Sequence, residues 1–491
     1  MTGWIMLGFV MLGFTLLVCA VALYDLLQRR HSILRTFPVI GHLRFLLEDV
    51  GPELRQYIVT GNDEERPFSR DQRRWVYATA KQDNANTGFG TANDLELSAN
   101  YLIIKPAAFP LPGPAATDNL LACQKVLGAA RGRPHALRPP SVVNVSGMSF
   151  GALSAPATTA LNQGCAMAGC LHNTGEGGIS EHHLHGGDLI FQIGTGYFGC
   201  RTVDGRFSLE RLVDLAARHP IRAVEIKLSQ GAKPGLGGIL PAAKVTPEIA
   251  RIRGVKAGEV CYSPSTHTAF GDVDSMLDVV EEIAAATGLP VGIKSAVGEA
   301  TFWEQLARQM AATDRGVDFI TVDGGEGGSG AAPLAFSDHV ALPFKIGFSR
   351  VHRVFVEAGL DDRIVFVGSA KLGFPETALL AMAMGCDLIN VGREAMLALG
   401  CIQAQRCHTD RCPTGVATQS RWLTRGLDPR DKSARVANYV RGLRHELLRL
   451  AHSCAVTHPA LVTLDSFEIL DGHFGSRPAR EVFGDNGKRW T

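Results

Sequence analysis

The 491-residue chain carries 49 basic against 48 acidic side chains, a formal charge of +1, and is 46% apolar. That is enough hydrophobic material for one large core or two to three smaller ones, and it excludes disordered and collagen-like chains. Near-neutral charge and the absence of any long Lys/Arg block give no field for nucleic acid, so none is expected as a partner. Glycine contributes 54 residues, in tight clusters in the middle of the chain, a pattern expected where backbone must approach a ligand closely. Eleven cysteines are scattered through a chain too long for a disulfide-stapled secreted domain, which points to a reducing compartment.

Residues Gly3 to Tyr24 form 22 uncharged, mostly apolar positions, long enough as a helix to cross a hydrocarbon core of about 30 Å. A transmembrane helix over residues 1–25 is expected. A cleaved signal peptide would need a basic leading region, and a buried core helix would rarely be so uniformly apolar at a chain end. Arg29, Arg30 and Arg35 follow the segment and no charge precedes it. The positive-inside rule therefore places the amino terminus outside and the remainder in the cytoplasm, as in a single-pass protein of the cell inner membrane. Residues 26–100 read as a charged juxtamembrane connector, with a short apolar helix candidate around Ile40 to Leu47.

From about residue 101 short β-branched runs alternate with helical stretches. Strands are predicted at Ser141–Val145, Ala223–Lys227, Val291–Lys294, Phe319–Val322, Ile364–Val367 and Leu388–Val391. Helices are predicted at Ser208–Arg218, Val273–Thr287, Thr301–Thr313 and Glu376–Met384. Alternation implies parallel pairing, and largely apolar strands imply burial on both faces, so the expected fold is α/β, a (β/α)₈ TIM barrel over 101–425. A helical extension over 426–491, with a helix at Arg435–Ala451, completes the domain plan. Functional residues of such a barrel lie just after the strands.

That is where the unusual clusters fall. Gly368-Ser369 and Gly392-Arg393 each follow a strand-like run late in the chain, where backbone N–H groups and one guanidinium would surround a phosphate. With Asp323-Gly324-Gly325 and the glycines to Gly330 after an earlier strand, they favour a phosphorylated cofactor, FMN first; each loop alone reads as an ordinary turn. Cys401, Cys407 and Cys412 put three thiols in one loop. Zinc normally takes a fourth ligand, and His408 would be a strained one; a three-iron cluster or three unlinked thiols are the other readings. Gln230 and Lys233 lie in a Gly-rich loop after Lys227, and Arg253 follows. Lys and Arg together suit a dicarboxylate, while a solvated surface loop is the alternative. Glu176, set among glycines in Asn173-Thr-Gly-Glu-Gly-Gly178, would orient a substrate nitrogen or serve as a turn acid.

Five ordered motifs, Met148-Ser-Phe-Gly151, Asn173 to Gly178, Gln230-Gly-Ala-Lys233-Pro-Gly, Asp323 to Gly330 and Cys401 to Gln419, resemble the FMN-binding synthase domain of glutamate synthase. The resemblance covers roughly residues 100 to 425. It implies a barrel carrying FMN and a [3Fe–4S] cluster on Cys401, Cys407 and Cys412, an oxidoreductase acting on CH–NH₂ donors. Reduced flavin would deliver hydride to the imine of 2-oxoglutarate and ammonia, giving glutamate. Met148 and Ser149 would border the flavin and Gln230 contact it. Gly368, Ser369, Gly392 and Arg393 would surround its phosphate, and Lys294, Asp323, Gly324 and Gly325 join the cofactor-binding set. Lys233 and Arg253 would hold the 2-oxo acid, with Glu176 near the imine.

Departures bear on substrate more than cofactor. Thr2 stands where a glutaminase would have a nucleophilic cysteine, and no dinucleotide fingerprint is present, so a separate electron donor (a reductase or ferredoxin) and a separate glutaminase subunit are expected partners. Ser263 to Thr268 replaces a Pro-rich segment ending in two histidines, and Gly368-Ser-Ala-Lys371 replaces an Asp-Gly-Gly turn. Two alternatives of other kinds therefore stand beside reductive amination with ammonia or an amine: an electron-transfer subunit of a membrane redox complex, and an N-methylglutamate-synthase-like subunit.

Overall fold

Eight short apolar runs pair side by side, all parallel, and close on themselves in the computed structural model. The structure describes residues 2–28, 30–61, 63–83, 86, 88–114 and 120–484; Arg29 lies outside them. In chain order the barrel strands are β1 (Val143–Val145), β2 (His172–Asn173), β3 (Leu189–Ile193), β4 (Ile221–Lys227), β5 (Val291–Ala296), β6 (Phe319–Asp323), β7 (Val365–Ser369) and β8 (Leu388–Val391). Each pairs with the next and β8 returns to β1, with Ile389 opposite Val143 and Val391 opposite Val145. This is the predicted TIM-type barrel, and all six predicted strands are present. The two not foreseen, β2 and β3, are the two-residue His172–Asn173 and the buried run Leu189–Ile193.

Local signals explain the helices. Ser154 Oγ accepts the Ala157 N–H at 3.3 Å to start helix Ala155–Ala168, with Pro156 in its first turn, and Gly169 ends it at φ 65°. Thr246 and Asp272 cap Pro247–Arg253 and Val273–Thr287 in the same way. Helices Thr301–Ala312, Phe344–Glu357, Pro375–Ala383 and Arg393–Leu399 follow β5, β6, β7 and β8. At the amino end of the barrel, Cys123 and Leu127 pack with Phe319, Val365 and Leu388, closing that mouth with apolar side chains. Arg133 bonds Asp318 at 3.0 Å and Glu281 at 2.6 Å beside it.

Helix Pro429–Ser453 lies against helix Ala155–Ala168: a Cβ on Gly164 would sit 2.7 Å from Val436 Cβ, and Arg444 donates to the Ala168 carbonyl at 2.8 Å. Strand Leu102–Ile104 pairs antiparallel with Phe467–Leu470, which pairs with Ser476–Pro478. The chain divides into two compact units, one ending at Asp71 and one beginning at Gln72. The first contains helix Thr2–Leu27, whose Gly3–Leu27 stretch is long and apolar enough to cross a membrane, and helices Ser32–Thr36 and Gly41–Leu54.

Candidate active site

All eight strands end on one rim, so residues that follow them become neighbours whatever their separation in sequence. After β1, a Cβ on Gly147 would fall 2.7 Å from Asn173 Oδ1. After β2, Gly175 has φ 67°, and a Cβ there would lie 2.5 Å from the Ser149 nitrogen. Only glycine allows the Met148–Ser149 backbone and the Gly175–Glu176 turn to press together.

Just below the rim, Glu225 on β4 is 1% exposed. Its Oε1 accepts from Asn173 Nδ2 at 2.8 Å and Gln192 Nε2 at 2.7 Å, and its Oε2 from Thr321 Oγ1 at 2.6 Å. One carboxylate thus ties four strands together. Sequence reading missed it, because its partners come from β2, β3 and β6 and meet only when the barrel closes.

Glu176 stands above this floor. Its Oε1 accepts from Lys227 Nζ at 2.8 Å, and the same Nζ donates to Gln230 Oε1 at 2.7 Å. Burial pushes the Glu176 carboxyl up, but Lys227, Lys233 and Arg253 outweigh it and hold the group below the usual carboxylate range. Burial pulls the Lys233 ammonium below its ordinary value, Glu176 opposing and Lys227 assisting. Lys233 Nζ donates to the Gly237 carbonyl at 3.3 Å. Arg253 is buried: Nη2 donates to the Phe150 carbonyl at 3.0 Å, Nη1 lies 3.9 Å from Cys261 Sγ, and the guanidinium sits 5.1 Å over the Phe198 ring. Its Nε is buried without a hydrogen-bond partner. The three cations predicted or noted around this loop therefore do surround one acid, with Arg253 braced against the Phe150 backbone.

His267, noted from sequence only as part of an altered loop, belongs to the same neighbourhood. Its Nε2 donates to the Lys227 carbonyl at 2.9 Å, its Nδ1 meets Tyr197 OH at 3.1 Å, and its ring stacks on Phe270. Tyr197 OH also accepts the Thr268 and Ala269 N–H groups, fixing the loop's course. Burial lowers the His267 pKa against the Lys227 carbonyl and Glu176.

The other side of the rim gathers the remaining predicted cofactor residues. Lys294 Nζ is 3.5 Å from Asp323 Oδ2, which accepts the Gly231 N–H at 3.0 Å. A Cβ on Gly231 would collide with the Gly324 carbonyl at 1.7 Å, so only glycine lets the loops after β4 and β6 approach this closely there. Gly324 N–H donates to the Ser369 carbonyl at 2.9 Å. Arg393 donates to the Glu326 carbonyl, and a Cβ on Gly328 would lie 2.7 Å from its Cδ. At Gly392 the nearest neighbour of a Cβ is Ser146 Cβ at 3.7 Å, an ordinary contact distance that crowds the backbone on no side. Ala370 (φ 139°) and Lys371 (φ 50°) follow Gly368-Ser369 in backbone conformations that favour glycine. The loosely covered backbone at Gly392, the half-buried Arg393 and the glycine-lined approach fit an anionic group such as a flavin phosphate.

Cys401, Cys407 and Cys412 are close enough to interact. Burial raises the Cys401 thiol to about 12, with Cys407 and Cys412 pushing the same way. Burial and Cys412 raise Cys407, opposed by Lys244. Lys244 is 2% exposed and donates to the carbonyls of Cys407 at 2.7 Å, Ala417 at 2.8 Å and Ala152 at 3.2 Å. The donor types suit an iron–sulfur cluster, but among the described residues no three His, Cys, Asp or Glu groups are arranged to hold a metal ion.

A family model described as the conserved region in glutamate synthase matches residues 131–457. The chain is 37% identical over 467 residues to the glutamate synthase large subunit-like protein YerD of Bacillus subtilis, covering 88% of each. It is 33% identical to an archaeal glutamate synthase [NADPH] of Methanocaldococcus jannaschii, over 65% of this chain and 60% of that one. A ferredoxin-dependent glutamate synthase of Cyanidium caldarium is 33% identical over 56% of this chain and 18% of its own. The chain thus spans less than two thirds of each of these last two relatives. Relatives named glutamate synthases are oxidoreductases acting on CH–NH₂ donors. With the barrel, its rim and these matches together, the chain belongs to the glutamate synthase family.

Proposed function

We propose that the protein is an FMN-dependent, membrane-anchored oxidoreductase that reductively aminates a 2-oxo acid of the 2-oxoglutarate class with ammonia or an amine. The observation that carries this reading is the ring of Lys227, Lys233 and Arg253 around the ionised Glu176, on the same rim as the glycine loops after β6, β7 and β8. Gly368, Ser369, Gly392 and Arg393 would hold the flavin phosphate, with Met148, Ser149, Gln230, Lys294, Asp323, Gly324 and Gly325 completing the cofactor site. Bound flavin would supply the hydride.

This chain's residues supply position and charge. Lys233 and Arg253 would give a 2-oxo acid carboxylate its cationic partners. Glu176, kept ionised by the same cations, attracts a protonated substrate nitrogen, and Lys227 Nζ holds a proton 2.8 Å from its Oε1. Cys401, Cys407 and Cys412 are the residues that would hold a [3Fe–4S] cluster, which would pass electrons from a separate donor, as ferredoxin-dependent and NADPH relatives are named. Helix Thr2–Leu27, followed by Arg30 and Arg35, supports a single-pass anchor in the cell inner membrane with the barrel in the cytoplasm. A separate glutaminase subunit is the proposed source of ammonia.

The test is anaerobic. Photoreduced protein is mixed with 2-oxoglutarate and ammonium while flavin reoxidation and glutamate are followed. Glutamate formed in step with reoxidation supports the reading; reduced flavin that ignores the oxo acid and every amine removes it and leaves an electron-transfer role.

A further inference from the structure

Helix Gly41–Leu54 packs within its unit through an unexpected side. Gly41 is buried, a Cβ there lying 3.0 Å from Leu34 Cδ2; the His31 ring meets Phe45 at 5.1 Å; and His42 Nε2 bonds Asp25 Oδ1 at 2.9 Å. Leu43, Leu46, Leu47, Val50 and Leu54 take no part in this and are each 39–58% exposed. At about 100° per residue these five fall within an arc of about 100°, opposite the packed side. The most apolar face of the helix is thus turned away from its own unit, while Arg44 and Glu48, paired at 2.7 Å, border it.

Asp25 sets where this face lies. It is fully buried near the end of helix Thr2–Leu27, and its Oδ2 accepts the Val39 N–H at 2.8 Å while both oxygens meet His42. Gln28 bridges the turn, donating to the Asp25 and His31 carbonyls and accepting the His31 N–H. The amphipathic helix is therefore latched to the last turn of the apolar one.

We infer that helix Gly41–Leu54 lies in the interfacial zone of the bilayer, its Leu/Val face among the lipid acyl chains; this rests on the membrane-anchored reading above. A helix pinned to the end of a spanning segment sits where apolar and aqueous phases meet, and a one-sided helix is the shape that boundary accepts. Its charged residues are one Arg against three acids, so apolar burial rather than attraction to anionic headgroups holds it.

The test uses the full chain in phosphatidylcholine liposomes, carrying a single p-benzoylphenylalanine photo-crosslinker at Leu47, at Asp49 on the other side of the helix, or at Leu12 in the apolar helix. After irradiation, mass spectrometry should find lipid adducts at Leu47 at a level comparable to Leu12 and about tenfold above Asp49, unchanged by high salt. Lipid at Leu12 with none at Leu47 overturns this inference alone, and a protein–protein adduct at Leu47 assigns the face to a second copy instead. No lipid at Leu12 overturns the anchored reading and this inference with it.

Discussion

Glu176 Oε1 and Lys227 Nζ lie 2.8 Å apart, joining the loop after β2 to the end of β4 across β3. Because Lys227, Lys233 and Arg253 hold the carboxyl below its ordinary value against burial, Glu176 contributes stability that is present above about pH 4 and is lost as pH falls through the lowered value. Glu176→Gln should lower the melting temperature at pH 7, and the gap to the wild type should narrow on acidification. Melting curves from pH 7 to pH 3 check this; a gap that widens toward acid contradicts it.

Lys233→Met should leave a substrate carboxylate without its charge-assisted partner, a loss of about 1.5–3 kcal/mol, or roughly tenfold to more than a hundredfold in affinity. FMN content should stay unchanged, since the phosphate is assigned to the loops after β7 and β8. Titration of 2-oxoglutarate against the flavin spectrum measures both; identical titrations for the two proteins would take Lys233 out of the site.

Glu225→Leu should be far more damaging than Glu225→Gln. The leucine strands Asn173, Gln192 and Thr321 in a buried floor, each unsatisfied group costing about 1–3 kcal/mol, whereas glutamine keeps an acceptor oxygen. Denaturant midpoints of the two variants should fall in that order, with the leucine variant several kcal/mol less stable or insoluble.

Cys407→Ser should abolish iron binding and keep most of the FMN. Lys244→Met removes the donor shared by the Cys407, Ala417 and Ala152 carbonyls, so the loop should loosen without losing a thiol: iron retention falls and thiol labelling of Cys407 speeds up. Zinc instead of iron in the purified wild type would refute the cluster.

A reporter fused after Thr491 should be active only in its cytoplasmic form. Activity of a periplasmic reporter there would reverse the topology.

Much of the barrel was legible because buried parallel strands are continuous apolar runs and some helices between them carry caps, as at Ser208 and Asp272. β2 was not, since two residues make no pattern, and β3 was not, since Leu189–Ile193 reads equally as a buried helix segment. At the rim, Glu176, Lys233 and the glycine loops were visible as motifs. Glu225 and His267 were not, because what distinguishes them is contact: three donors from other strands in one case, the Lys227 carbonyl and Tyr197 hydroxyl in the other. Lys244 was hidden for the same reason, an ordinary lysine in sequence and a buried clamp under the cysteine loop in space.

The seating of helix Pro429–Ser453 on helix Ala155–Ala168, with Gly164 against Val436 and Arg444 reaching the Ala168 carbonyl, has a consequence for biosynthesis. The outer face of the first barrel helix stays bare on the ribosome until residues 429–453 have emerged. Nascent chains stalled before residue 429 should therefore display a sticky surface and recruit chaperones, and the emergence of helix Pro429–Ser453 acts as the release signal for the barrel that precedes it.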